Sequence, residues 1–111
     1  MIHFLESRAT KQELDEMQKA LDSYIKLAVY FQRGILVGGG VLHADCEAVL
    51  LENDSRQVDI WGADWIPATQ EIRYEALINI RPRQGNPSMK ILDPAIRARV
   101  AEIVRPILEV V

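Results

Sequence analysis

The sequence predicts an α+β domain, built on an antiparallel or mixed sheet of about five strands with the helices packed on one face. Three observations predict this class. Apolar and polar residues alternate along several short stretches, most strictly over 24–32 and 71–80. Capping residues precede amphipathic stretches at Thr10 and Asp93. Turn-forming residues connect neighbouring strands directly, as in hairpins. The expected order is β-α-β-β-α-β-β-(β)-α, where the bracketed strand is 89–92.

A short strand and a helix open the chain. Residues 1–6 alternate weakly, which is enough for a short first strand. Thr10 and Glu13 have the spacing of a capping box, and Leu14 begins a series of apolar residues at helical spacing. This pattern predicts a helix over 11–22.

A hairpin and a second helix follow. Residues 24–32 alternate strictly, and the turn residues at 33–34 lead into a partner strand at 35–37. A triple glycine at 38–40 ends that strand. The apolar run within 45–52 is bounded by turn formers and favours a short helix.

A second hairpin and a long helix complete the predicted fold. Residues 57–66 and 71–80 both alternate, and the short polar connection between them indicates a hairpin. Asp93 followed by Pro94 is a strong helix start, because Asp caps and Pro suits the first helical position. Pro106 lies inside the apolar stripe of this helix and should kink it or end its regular part.

Length and composition predict one globular domain over 1–111, since 49% of the residues are hydrophobic and 26% are charged. The net charge of −3 argues against a general nucleic-acid binder, which would need an excess of basic residues. One basic stretch stands out, because 79–90 contains Arg81, Arg83 and Lys90 and no acid. A local basic loop on an acidic protein favours a small anionic ligand or an acidic partner.

The compartment is predicted from the cysteine count and from the absence of targeting patterns. Cys46 is the only cysteine, so no intrachain disulfide can form. The N-terminus lacks the pattern of a secretory signal, and no stretch reaches the ~18 apolar residues of a membrane span. We therefore expect a cytoplasmic protein without a membrane partner.

The most informative stretch is 38–47, where three glycines precede His, Asp, Cys and Glu. Glycine lets the backbone approach a ligand closely, so Gly39 and Gly40 are candidate ligand-binding residues. The stretch lacks the pattern of a phosphate-binding loop, and no cofactor is predicted. A bulge or sharp bend at the end of the strand is the favoured alternative for the glycines.

Three side chains of this stretch could form a metal site or supply a general base, although no metal is predicted, because the chain has only two histidines and one cysteine. In an extended segment His43, Asp45 and Glu47 would project to one side and could hold a metal ion. In a helix only His43 and Glu47 would share a face, and either could act as a base. The structural alternative is that Asp45 and Glu47 are the cap and first-turn acids of a short helix.

Cys46 is a candidate nucleophile, because a thiol at a helix N-terminus beside His43 can have a lowered pKa. The commoner role of a single free cysteine is that of a small buried residue. The sequence leaves both interpretations of Cys46 open.

Asn79, Arg81 and Arg83 are the strongest candidates for ligand binding. The alternation of 71–80 predicts that Asn79 and Arg81 point away from the core, and Pro82 stiffens the backbone between the two arginines. The planar guanidinium group suits carboxylate or phosphate. The alternative is that these arginines pair with surface acids, which contributes roughly 0–1 kcal/mol each.

Two tryptophans share one face of the strand predicted over 57–66. Trp61 and Trp65 are core residues if a helix covers that face. An exposed tryptophan pair would instead indicate a homodimer interface.

The motifs of this chain resemble those of a small uncharacterised bacterial family, a domain of unknown function. The resemblance rests on G-G-G-x-L-H-A-D-C-E at 38–47, on W-G-A at 61–63 and on I-N-I-R-P-R-x-x-N at 78–86. It spans nearly the whole chain. It implies no particular activity or catalytic residue.

Three functions remain open from the sequence. The first is a homodimeric binding module that holds a small anionic ligand between 38–47 and 79–88. The second is a hydrolase-like enzyme that uses His43 or Glu47 as base, with Cys46 or a metal-bound water as nucleophile. The third is a structural homodimeric interaction protein.

Overall fold

The fold is described by a computed structural model for residues 1–110. Five strands form one antiparallel sheet in the order β1-β3-β2-β4-β5. The strands are β1 His3–Leu5, β2 Ile25–Tyr30, β3 Ile35–Gly40, β4 Ile60–Ile66 and β5 Glu71–Arg73. The helices are α1 Lys11–Gln18, α2 His43–Glu52 and α3 Pro94–Leu108. Short 3₁₀ turns lie at Gln57–Asp59, Leu77–Asn79 and Pro82–Gln84. The predicted α+β class and element order are confirmed.

The central strand β2 explains the order of the sheet. It pairs antiparallel with β3 through the predicted hairpin and with β4 on its other side. The register with β3 shifts beside Gly39, whose φ of +98° produces a bulge in β3. The bulge predicted as the structural role of the triple glycine is therefore present.

The helices lie on both faces of the sheet, which corrects the prediction that they share one. The first face is covered by α1 and α3, which pack on Ile25, Leu27 and Val29 of β2. The second face is covered by α2, which packs on Ala28 and Tyr30 of the same strand. The prediction failed because the second face of β2 is also covered, with Ala28 and Tyr30 buried, although Lys26 makes its sequence pattern mixed.

The strand predicted over 71–80 is much shorter than expected. Pairing with β4 ends at Arg73, and the backbone of 74–76 pairs instead with 89–91, around an isolated bridge between Glu75 and Lys90. The chain then forms the 3₁₀ turn Leu77–Asn79. Alternation alone could not show that the partner strand changes. The weak strand predicted at 89–92 is present only as this pairing.

Gly62 of β4 allows the segment after β5 to cross the second face of the sheet. A β-carbon on Gly62 would meet the Cβ of Ala76 at 2.5 Å and a side-chain carbon of Ile78 at 2.9 Å. The segment therefore lies directly on the strand, beside α2. The cleft between α2 and this segment contains the polar residues that the sequence singled out.

The helices differ from their predicted bounds only at the ends. Helix α1 begins with the predicted capping box of Thr10 and Glu13 but ends at Gln18, earlier than 22. Helix α3 begins at the Asp93 cap and ends two residues after Pro106. None of the helices within residues 1–110 is both long and apolar enough to cross a membrane.

Candidate ligand-binding site

A cleft of about 530 Å³ lies between α2 and the segment 77–84. Both informative stretches of the sequence contribute to it, 38–47 through Glu47 and 79–88 through Arg81 and Arg83. The complete lining is Glu47, Gln57, Leu77, Ile78, Ile80, Arg81, Pro82, Arg83 and Gln84. We call this cleft the Glu47 pocket. Its walls are largely apolar, with a few polar groups that could orient a ligand.

Glu47 is the unusual residue of this pocket, because a carboxylate in the middle of α2 is only 8% exposed. Its Oε2 atom is buried and has no hydrogen-bond partner among residues 1–110. The Nη2 atom of Arg81 lies 3.9 Å away, which permits an ion pair but is too long for a hydrogen bond. A buried carboxylate oxygen without a hydrogen bond is energetically costly, so this oxygen needs a donor.

Arg81 does not form a hydrogen bond to this oxygen, and three of its five N–H groups donate to backbone carbonyls. Nε donates to Ile78 O at 3.0 Å, Nη1 to Gln57 O at 2.8 Å, and Nη2 to Ile60 O. The guanidinium carbon also lies 4.8 Å from the centre of the Trp61 ring.

Burial lowers the pKa of Arg81 from its usual value, while the carboxylates of Glu47 and Asp59 oppose that shift. The prediction that Arg81 points away from the core as an accessible anion ligand is therefore wrong. Its main role is to fasten the turn after Leu77–Asn79 to β4 and to the Gln57–Asp59 turn.

Asn79 is also structural, contrary to prediction. It is completely buried. Its Oδ1 accepts from Gly62 N at 2.8 Å, and its Nδ2 donates to Gly62 O at 2.9 Å, so the side chain replaces a strand partner along β4. Its Nδ2 also lies 3.2 Å from Met89 O. Asn86 stabilises the same loop from within. Its Nδ2 donates to Asn79 O, and its Oδ1 accepts from Leu92 N.

Arg83 remains available for a ligand. The residue is exposed at the edge of the Glu47 pocket. No acidic residue within 1–110 forms an ion pair with it. Its neighbour Gln84 is anchored by a hydrogen bond from Nε2 to Val58 O at 3.0 Å, which helps to fix the edge of the pocket.

Gly39 and Gly40 do not contact the pocket, which corrects their assignment as ligand-binding residues. A β-carbon on Gly39 would meet Met1 O at 2.2 Å and the Cα of Met17 at 3.0 Å. A β-carbon on Gly40 would meet the Cys46 Sγ at 3.1 Å. The space next to both glycines is filled by protein, so their role is close packing.

Cys46 is buried between α2 and the sheet and is not suited to be a nucleophile. Its Sγ lies 3.5 Å from Lys26 O, and burial raises the pKa of the thiol to about 11. The predicted activation by the helix N-terminus is therefore outweighed by burial.

The three side chains considered as metal ligands, His43, Asp45 and Glu47, do not come together. Asp45 Oδ2 accepts from Leu42 N at 3.1 Å as a helix cap, Glu47 faces Arg81, and His43 turns toward Asp64. The part of the chain that the structure describes contains no cluster of three or more potential metal ligands. The capping role that the sequence left open for Asp45 is confirmed.

His43 lines a second pocket, of about 340 Å³. Its Nε2 lies 2.8 Å from Asp64 Oδ1 and 3.1 Å from Ala63 O, so Nε2 carries the proton and donates to these acceptors. Asp64 is held in turn by Arg73, whose Nε lies 3.5 Å from Oδ2. This arrangement fixes the ring and leaves Nδ1 as its unpaired nitrogen. Lys26 lines the same pocket.

Asp64 is the site residue that the sequence analysis missed. It follows Ala63 and precedes Trp65 in a strand that is otherwise apolar, and a charged residue in such a strand was the available signal. Leu77 and Ile78 line both pockets and form the wall between them.

Trp61 and Trp65 are buried in the first face beneath α3, as the sequence analysis expected if a helix covered them. They therefore provide no basis for a dimer interface.

The fold and the clefts define the class of this protein as a small α+β domain with two ligand-sized pockets on one face of its sheet. A family model described as "Protein of unknown function (DUF5674)" matches residues 3–107, and the chain belongs to that family. No curated protein and no solved structure matches the chain significantly.

Proposed function

We propose that this protein is a binding module for a small anionic ligand, and that the ligand occupies the Glu47 pocket. One observation carries the proposal: a cleft of about 530 Å³ is lined by Glu47, which has a buried oxygen without a hydrogen bond, and by Arg83, which forms no ion pair, both judged within residues 1–110. The predicted anion contact is thereby reassigned. Arg83 is the binding arginine, and Arg81 and Asn79 support the wall.

Charge supports this assignment. Glu47 and Arg81 compensate each other across 3.9 Å, so Arg83 is the uncompensated charge among the residues that line the pocket. A guanidinium group at the edge of an apolar cleft can bind a carboxylate or phosphate in a bidentate manner.

The proposal is tested by thermal unfolding in the presence of small anions, with 4-methylpentanoate and inorganic phosphate as probes. A ligand at about 100-fold above its Kd adds roughly 2.7 kcal/mol, which raises the Tm of a domain of this size by several degrees. We expect a saturable shift in the wild type and in Lys19→Met, whose side chain is exposed at the C-cap of α1, and its loss in Arg83→Met. Equal shifts in Arg83→Met and Lys19→Met would contradict the proposal.

An enzymatic function is the second candidate, and the 2.8 Å contact between His43 and Asp64 favours it. In a hydrolysis, Nδ1 of His43 would take a proton from water while the water oxygen bonds to an acyl carbon. The Lys26 ammonium group would stabilise the oxyanion, and the leaving group would depart. In this mechanism the nucleophile is a water molecule activated by His43, in place of Cys46 or a metal-bound water.

Hydrolysis of 4-nitrophenyl acetate tests the second candidate. His3 is a matched control, because its Nε2 lies 2.9 Å from a carboxylate oxygen of Glu16, outside either pocket. We expect His43→Gln to lose the protein-dependent rate and His3→Gln to keep it. Equal rates in the two variants would eliminate His43 as a base.

A homodimer and a cytoplasmic location complete the proposal. The free thiol of Cys46 supports a reducing compartment. A second copy would cover Leu42, Leu77 and Met89, exposed apolar residues around the second pocket. Light scattering after gel filtration should give twice the monomer mass, and Leu77→Glu should give a monomer. A monomeric wild type would contradict the dimer.

A further inference from the structure

We infer that the ligand of the Glu47 pocket is a monoanion that also carries a neutral O–H or N–H donor, as a hydroxy acid or an N-acyl amino acid does. The inference rests on the proposed binding function and names its ligand class. It assigns two separate tasks. Arg83 binds the anionic end, and Glu47 accepts a hydrogen bond from the neutral donor.

The need for a donor follows from the surroundings of Glu47. Its Oε2 has no hydrogen-bond partner within residues 1–110. Arg81, the nearest cation, directs three of its five N–H groups to the carbonyls of Ile78, Gln57 and Ile60. Gln84, which lines the same cleft, donates an amide N–H to Val58 O. The described residues therefore leave Oε2 without a hydrogen bond, and a partner in the pocket would reach this buried atom after the Glu47 side chain turns toward it.

The donor should be neutral rather than cationic. An ammonium group bound to Glu47 would lie close to the Arg81 guanidinium, which is itself only 3.9 Å from Oε2. Two cations would then share one carboxylate in a half-buried site, and their repulsion is strong where the dielectric is low. A hydroxyl or amide donates a hydrogen bond without adding a charge. The pocket therefore favours a net charge of −1, carried by the group that meets Arg83.

The apolar walls define the remainder of the ligand. Leu77, Ile78, Ile80 and Pro82 are the apolar residues of the lining. A branched aliphatic group of four or five carbons would fill this space in the manner of a core side chain. Leucine-like acids are consequently suitable probes.

The experiment compares four molecules with one carbon skeleton by titration calorimetry. They are 2-hydroxy-4-methylpentanoate, N-acetylleucine, 4-methylpentanoate and leucine. We expect the hydroxy acid or the N-acetyl compound to bind roughly tenfold more tightly than 4-methylpentanoate, because a hydrogen bond to a charged group is among the stronger ones. Leucine, which carries an ammonium group, should bind more weakly than either.

Variants assign the effect to Glu47. In Glu47→Gln the advantage of the donor-bearing acids should fall severalfold, because the acceptor is no longer charged. In Glu52→Gln, an exposed position on the same helix, the advantage should persist. In Arg83→Met all the acids should weaken together. Circular dichroism checks that Glu47→Gln is folded, and the ligand series in the wild type tests the same preference without any substitution.

The outcomes separate this inference from the proposed function. If no acid binds the wild type, the proposed binding function is wrong and the ligand class is wrong with it. If 4-methylpentanoate or leucine binds as tightly as the donor-bearing acids and Arg83→Met still abolishes binding, the function stands and the ligand class is wrong. If the donor preference is the same in Glu47→Gln and Glu52→Gln, the role of Glu47 is wrong.

Discussion

The two faces of the sheet differ in the kind of side chain that is buried against them. Beneath α1 and α3, the core consists of buried apolar side chains, among them Trp65, Met17 and Val104. A cleft of about 470 Å³ is also lined by residues of these two helices. Beneath α2 and the segment after β5, the protein places Glu47 and Asp64 next to open clefts. An apolar face of this kind mainly stabilises the fold, whereas partly satisfied buried polar groups destabilise it and are retained for function. The comparison supports the proposal that the ligand binds on the second face.

Replacement of Trp65 should have the largest effect on stability. Trp65 is fully buried in the first face, and Trp65→Ala should lower the free energy of unfolding by about 3–5 kcal/mol, because a large cavity is created. Leu77→Ala is the matched change on the second face, where the side chain is 70% exposed, and should cost less than about 0.5 kcal/mol. Urea denaturation measures both. Similar losses of unfolding free energy in the two variants would contradict the distinction between the faces.

Removal of the Asn79 amide should be the next largest effect. Asn79→Ala leaves Gly62 N and Gly62 O buried without partners, which should cost roughly 2–4 kcal/mol. Asn53→Ala is the control, since its amide bonds to Val49 O at an exposed helix end and its loss should cost under about 1 kcal/mol. An equal loss in the two variants would show that Asn79 is not essential to the wall of the cleft.

The thiol of Cys46 gives a pH-dependent test of how tightly α2 is packed on the second face. Because burial raises the pKa of this thiol to about 11, the folded protein should be inert to a thiol reagent at pH 8 and react after denaturation. The unfolded chain loses this proton first, at its ordinary value of about 9.0, so stability should fall as the pH rises from there toward 11. Rapid labelling of folded protein at pH 8 would mean that α2 opens easily.

The capping box of α1 should give the smallest effect, on the first face. Thr10→Ala removes the acceptor for Glu13 N and should cost about 1 kcal/mol. The hydrogen bond from Thr10 N lowers the pKa of Glu13, so its contribution is complete above 4.5 and is lost as the pH falls below that value. Glu13→Gln removes the charge of this carboxylate, so thermal unfolding at pH 7 and pH 3 should show a smaller difference between Glu13→Gln and wild type at pH 3. An unchanged difference would contradict the role of Glu13.

Local signals were readable from the sequence. The caps at Thr10 and Asp93 were predicted because capping depends on neighbouring residues alone. The stretch 71–80 was wrongly predicted as one strand because its alternation continues after its strand partner changes. The same error led to the prediction that Asn79 and Arg81 point away from the core. Local periodicity does not show which distant strand a segment pairs with.

The candidate site was predicted in location but not in roles. Glu47 and Arg83 belong to the two stretches that the sequence singled out, yet Glu47 was proposed as a base or metal ligand. Its significance depends on the carbonyls that occupy Arg81, and these come from parts of the chain that are distant in sequence. Asp64 was missed for a related reason, because only the folded chain brings it to His43.

The wall shared by the two clefts has a consequence for communication between them. Leu77 and Ile78 line both pockets. The segment that contains them crosses β4 at Gly62, which has no side chain to hold the segment away from the strand. A ligand that moves the segment in one pocket alters the shape of the other, and thermodynamic linkage requires the two affinities to change by the same factor. Binding in the Glu47 pocket and binding beside His43 would then be linked through this shared wall.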